Sequence, residues 1–128
     1  MTTSSKLADM FNAKLAQFMR YLINIKPEEP AFAEVLRNCE FIANIDRRII
    51  RTMFIENVTK KYYERIVARD EAFFMDPNVY DRNVILTAGY NMDIIGKLCG
   101  LWSTLDDEKK GHIWNYCIVL VNMSKSGV

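Results

Sequence analysis

Apolar residues along this chain recur at steps of three and four, and no segment shows the sustained alternation of a strand. Leu7, Phe11, Leu15, Phe18, Leu22 and Ile25 share one face of a helix predicted over about 5–25. At about 100° per residue, every third or fourth side chain returns to the same azimuth. Lys6, Asn12, Gln17, Arg20 and Asn24 fall away from that stripe. Ser4 or Ser5 is the expected cap, with Asp9 early enough to favour the helix dipole. Pro27 ends the helix, because it disfavours helical geometry in the residue before it.

A second helix is predicted over about 29–43, with Pro30 tolerated near its start and Phe32, Val35, Leu36, Cys39 and Ile42 as its buried stripe. Asn44 or Asp46 can cap a third helix over about 46–68. In that helix Ile50, Phe54, Val58, Tyr62 and Ile66 are spaced by four. Such a stripe drifts around the axis, which lets the helix meet different neighbours along its length. Asp70 can cap a short helical turn near 71–75, where Phe73, Phe74 and Met75 are expected to plug the end of the bundle. Residues 78–90 read as a loop with helical character.

The last two helices are predicted over about 91–103 and 105–123. Ile94, Ile95, Leu98, Leu101 and Trp102 form the face of the first. Its Gly96 and Gly100 each cost roughly 1 kcal/mol of helix propensity, which points to close packing there. Thr104 with Asp107 forms a weak capping box for the final helix. Asp106, Asp107 and Glu108 crowd its first turn, where negative charge is favourable. Ile113, Cys117, Leu120 and Val121 face inward, with Trp114 and Ile118 widening that face. The expected fold is all-α: a compact bundle of five main helices in a single domain, 1–128, frayed at 1–4 and 124–128. Its core anchors are Trp102, Trp114, Phe11, Phe18 and Phe54, because large aromatics dominate small cores.

Composition narrows the class. Half of the 128 residues are hydrophobic and 26% are charged, and 17 basic against 16 acidic residues leave a net charge of +1. The chain is long enough for its own core and too apolar for disorder. So balanced a charge supplies no long-range attraction for nucleic acid or an anionic membrane. No apolar run approaches the roughly 20 residues that span a bilayer, and the first residues lack the apolar centre of a signal peptide. A soluble intracellular protein without a membrane span is expected. Cys39, Cys99 and Cys117 are odd in number and widely spaced, so they are read as reduced and buried.

Candidate chemistry is sparse. The sequence has no Gly-rich phosphate loop, no Cys-x-x-Cys, no His-Glu-x-x-His and no Gly-x-Ser-x-Gly; those spacings bring phosphate-binding, metal-binding or nucleophilic groups together. The single histidine, His112, sits near Lys109 and Lys110 and reads as a surface residue. Asp70-Glu71 is the best acid–base pair, but adjacent carboxylates at a helix start are ordinarily caps. Neither a catalytic residue nor a cofactor or metal site is assigned. The third helix carries Arg47, Arg48, Arg51, Lys60, Lys61, Arg65 and Arg69 as a candidate anion or partner patch. Arg47, Arg51, Lys61, Arg65 and Arg69 project to one azimuth, yet Phe54 and Val58 interrupt it. Solvated ends of a buried helix are the first reading, and nucleic acid is not an expected partner.

Trp102-Ser-Thr-Leu-Asp-Asp-Glu-Lys-Lys, followed by Ile113-Trp114-x-Tyr116-x-x-Val119-Leu120-Val121-x-x-Ser124, resembles the closing signature of a group of short all-helical proteins, mostly uncharacterised, from large nucleocytoplasmic DNA viruses. Asp70-Glu71-Ala72-Phe73-Phe74 and the first helix with its following proline and Phe32 add to the likeness. Val84 to Gly89 and the paired glycines of the fourth helix depart from the usual pattern. The resemblance implies a helical fold made in an infected cell, located in the host cytoplasm or the virion. It carries over no catalytic residue. The expected role is a virion or assembly component, such as a minor capsid protein; the alternative is a regulatory module that meets a host protein, and the lesser alternative is a nucleic-acid-binding protein that uses the basic residues of the third helix. The first suits the missing chemistry and the edge aromatics Tyr21, Tyr63, Tyr80 and Tyr90 best. Partners would be other viral proteins, a host protein or further copies of the chain.

Overall fold

In the computed structural model, residues 2–72 and 94–125 are described, and every regular element among them is helical. The order is α1 (Thr2–Ile25), α2 (Pro30–Ile45), α3 (Ile49–Phe54), a π-helical turn (Ile55–Thr59), α4 (Lys60–Val67), α5 (Ile94–Leu101), a 3-10 turn (Trp102–Thr104) and α6 (Asp107–Lys125). Because α3, the π turn and α4 run on without a break, the described residues form five helical rods, in keeping with the all-α bundle expected. Residues 73–75 of the turn predicted near 71–75, the loop at 78–90 and the start of the fourth helix at 91–93 lie outside the described residues.

The core follows the stripes. Phe11, Leu15, Phe18 and Leu22 of α1 are buried, as are Phe32, Val35, Cys39 and Ile42 of α2. Trp102, Ile113, Trp114, Leu120 and Val121 join them from the C-terminal half. The central rod meets α1 and α2 at its start and α6 along its whole length. Phe54 is only half-buried, its ring 5.1 Å from that of Phe11 in an edge contact at the margin of the core.

Helix boundaries differ from expectation for local reasons. α1 begins at Thr2, so Ser4 and Ser5 lie inside it and Asp9 is past its first turn. Glu29 caps α2 through its carboxylate, which accepts the Ala31 N–H at 3.3 Å, with Pro30 at the first helical position. Asp46, and not Asn44, closes the next corner: its Oδ1 accepts the Arg48 N–H at 3.0 Å. The fourth helix ends at Leu101, and Trp102 begins a tighter 3-10 turn. Asp106 caps α6 by accepting the Lys109 N–H at 2.8 Å, whereas Thr104 donates to the Leu101 carbonyl. α6 continues to Lys125 with Ser124 fully buried, past the expected point of fraying.

The π turn is the main departure within an element. A strict four-residue spacing drifts around an α-helix, but a π turn winds less per residue because its bonds run from i to i+5. Ile55–Thr59 therefore takes back part of the drift, and Ile50, Val58 and Ile66 all stay buried. Gly100 is a second departure. A Cβ built there meets nothing within 4 Å, so close packing does not account for this glycine. Cys99 and Cys117 are half-buried and Cys39 is buried; none of the three is in a disulfide.

Candidate interaction surfaces

Four groups of residues compete as the functional site. The first is the tryptophan junction. Trp102 is 0% exposed and Trp114 4%, with ring centroids 5.5 Å apart in an edge contact. The Trp102 indole N–H donates to Glu71 Oε2 at 2.7 Å, and Lys110 Nζ lies 3.5 Å from the same oxygen and 5.4 Å from the Trp102 ring centre. The indole donor first, and the lysine after it, hold the Glu71 carboxyl below its ordinary pKa. Its neighbour Asp70 caps the turn as expected, accepting the Ala72 N–H at 3.1 Å. This arrangement fixes one end of the bundle: it ties the chain after α4 to the start of the C-terminal hairpin.

The basic residues of the central rod do not converge on one patch. Arg47 pairs with Asp9 of α1 at 3.1 Å, Arg48 with Asp46 at 3.2 Å and Lys60 with Glu56 at 2.7 Å. Arg51 donates to the Ser124 carbonyl at 3.0 Å, Arg65 pairs with Asp70 at 3.0 Å, and Arg69 donates to Asn115 Oδ1 at 2.6 Å. Lys61 is exposed. Helical azimuth alone pointed five of these residues the same way, but Arg47, Arg51, Arg65 and Arg69 turn to partners on α1, α6 and the corner turns.

The polar and reactive groups form the third set. Burial pushes the thiols of Cys39 and Cys117 up to about 12, so both stay protonated at neutral pH, the unreactive form. Exposed His112 lies 5.7 Å from the Tyr21 ring and 3.9 Å from Glu108. Tyr21 and Tyr63 are half-buried rather than exposed, and Tyr80 and Tyr90 lie outside the described residues. No group of three metal-ligating side chains occurs among the described residues. A pit of about 60 Å³ opens between α1 and α2, lined by Asn12, Leu15, Leu36, Cys39 and Ile50 among others. The Asn12 Oδ1 is buried there without a hydrogen bond. That volume suits a water or two and is small for a drug-sized ligand.

The fourth group is apolar and exposed. Ile45 is 66% exposed and Phe41 50%, four residues apart on the outer face of α2. Met10 of α1 and Val119 of α6 are also exposed. Rings of Phe18 and Tyr21 meet Tyr116 and His112, which sets α1 and α6 antiparallel. Phe41 and Ile45 are absent from the candidate residues read from sequence. The signal was present: both are apolar yet lie about 120° from the Phe32–Ile42 stripe by helical azimuth. Among the described residues, no helix is long and apolar enough to cross a membrane. Comparison with known proteins finds no family model that matches the chain, and no similar curated protein or solved structure.

Proposed function

We propose that this chain is a non-enzymatic viral structural or assembly protein, such as a minor capsid or virion component, acting through protein–protein contacts in the infected cell or the particle. The observation that carries the contact role is the large apolar surface left exposed on α2, with Ile45 66% exposed and Phe41 50%. Adjacent large apolar side chains in water are what a partner surface covers. The viral context rests on the resemblance of the Trp102–Ser124 stretch. Six of the seven basic side chains, all but Lys61, turn to partners within the chain and offer nucleic acid no continuous stripe, and this favours a protein partner. Quantitative mass spectrometry of purified particles tests the reading. Stoichiometric amounts are expected. Absence from particles, with a host protein recovered from infected-cell lysate instead, would replace it with the regulatory role.

A further inference from the structure

We propose that Lys26 is an acceptor for a small ubiquitin-like modifier, joined through an isopeptide bond at the corner between α1 and α2. The residues there are Ile25-Lys26-Pro27-Glu28: an aliphatic side chain, a lysine, a spacer and a glutamate. No other lysine of the chain has both an aliphatic residue just before it and an acid two places after it. Each position has a task on a conjugating enzyme. The aliphatic side chain packs beside the groove that takes the lysine stem, and the carboxylate meets polar and basic groups around the enzyme's cysteine. Together they hold the amine against the thioester, so that orientation supplies the rate.

The corner presents this tetrapeptide. Ile25 is the last residue of α1 and is half-buried, while Pro27 and Glu28 are exposed. Proline biases the residue before it toward extended backbone, the form an enzyme groove accepts. The Glu29 N–H donates to the Lys26 carbonyl at 3.1 Å, a turn bond that opens when the segment is laid out straight. The Glu28 side chain is 72% exposed and 4.0 Å from Lys26 Nζ, too loosely paired to withhold either group. Glu29, the next acid, caps α2, so the helix keeps its start when the turn opens. Exposure alone would choose differently: the side chain of Lys60 is 61% exposed and that of Lys109 41%, against 21% for Lys26. Both of those lysines lie within helices and lack the spacing.

In the transfer, the Lys26 ammonium gives up a proton and Nζ attacks the carbonyl of the modifier's C-terminal thioester. The C–N bond forms, the C–S bond breaks, and the enzyme's cysteine leaves as thiolate. The nitrogen then loses its second proton and becomes an amide. The co-reactant is the modifier–enzyme thioester, made beforehand by an activating enzyme at the expense of ATP. This modification adds to the proposed contact role and does not rest on it.

The test incubates the purified full chain with activating and conjugating enzymes, a small ubiquitin-like modifier and MgATP, and reads gel shift and peptide mass spectra. One adduct, at Lys26, is expected. Lys26→Arg keeps the charge and should abolish that adduct. Glu28→Gln should slow its formation at least about tenfold, with the helical circular dichroism of the parent in both variants. No adduct, adducts confined to other lysines, or Glu28→Gln conjugated at the parent rate overturns the proposal, and leaves the particle experiment untouched.

Discussion

Arg69 shows how a residue with an evident chemical reading can have a structural one instead. Its φ is 53°, the only positive value at a non-glycine among the described residues. The Arg69 N–H donates to the Ile66 carbonyl and the Asp70 N–H to the Arg65 carbonyl, each at 3.0 Å. That pair of bonds is the Schellman closure of a helix, in which the left-handed position ordinarily takes glycine. A side chain in this conformation costs roughly 1–2 kcal/mol, offset in a glycine variant by about 0.5–1 kcal/mol of backbone entropy and by the lost Asn115 bond. Arg69→Gly should be neutral to stabilising by up to about 1 kcal/mol, whereas Arg69→Val, with its branched Cβ, should destabilise. Urea midpoints of the two variants check the opposite signs. Periodicity placed Arg69 with the other basic residues because azimuth is all that a regular spacing reports. A left-handed terminus cannot be read from it when no glycine marks the place.

At the scale of elements, the π turn and the last turn of α6 are joined by one buried contact. Thr59 Oγ1 and Ser124 Oγ are 2.6 Å apart, and Ser124 Oγ donates its proton to the Val121 carbonyl at 2.7 Å. A hydroxyl has one proton, so Thr59 is the donor of the pair and Ser124 its acceptor. Removing one partner leaves a buried polar group without its bond, at about 1–3 kcal/mol, while replacing both with apolar groups is far milder. Ser124→Ala should therefore destabilise more than the double change Ser124→Ala with Thr59→Val. A double-mutant cycle in urea gives the sign of the coupling; additive losses would contradict it. The stripes of α1, α2 and α6 were legible in sequence because each follows the α-helical period over many turns. The π turn was not, since a four-residue spacing fits either a drifting α-helix or an unwound segment. Phe41 and Ile45 were visible as apolar residues off their stripe, but only their exposure of 50% and 66% separates them from a second buried face.

For the whole molecule, three acidic side chains fasten the corners between rods. Asp46 accepts the Arg48 backbone N–H and side chain, Asp106 does the same for Lys109, and Glu71 accepts the Trp102 indole N–H. In each, hydrogen bonds to the ionised form lower the folded-state pKa below the ordinary 3.8 for the aspartates and 4.5 for the glutamate. A depressed carboxyl contributes stability that is complete above its unfolded value and lost as pH falls through its folded value. The acid limb should therefore fall below about pH 4.5. The thiols set the opposite limb. Cys39 and Cys117 rise from 9.0 to about 12 because burial disfavours the thiolate. The unfolded chain then releases protons at lower pH than the folded one, and stability declines from about pH 9 upward. Urea midpoints across this range should form a plateau between the two limbs. Glu71→Gln should flatten the acid limb, since the amide carbonyl still accepts the indole N–H but no longer titrates. Cys39→Ala should shallow the alkaline limb while costing stability on the plateau through the cavity it leaves. An acid limb unchanged by Glu71→Gln would show that this carboxylate does not couple protonation to folding.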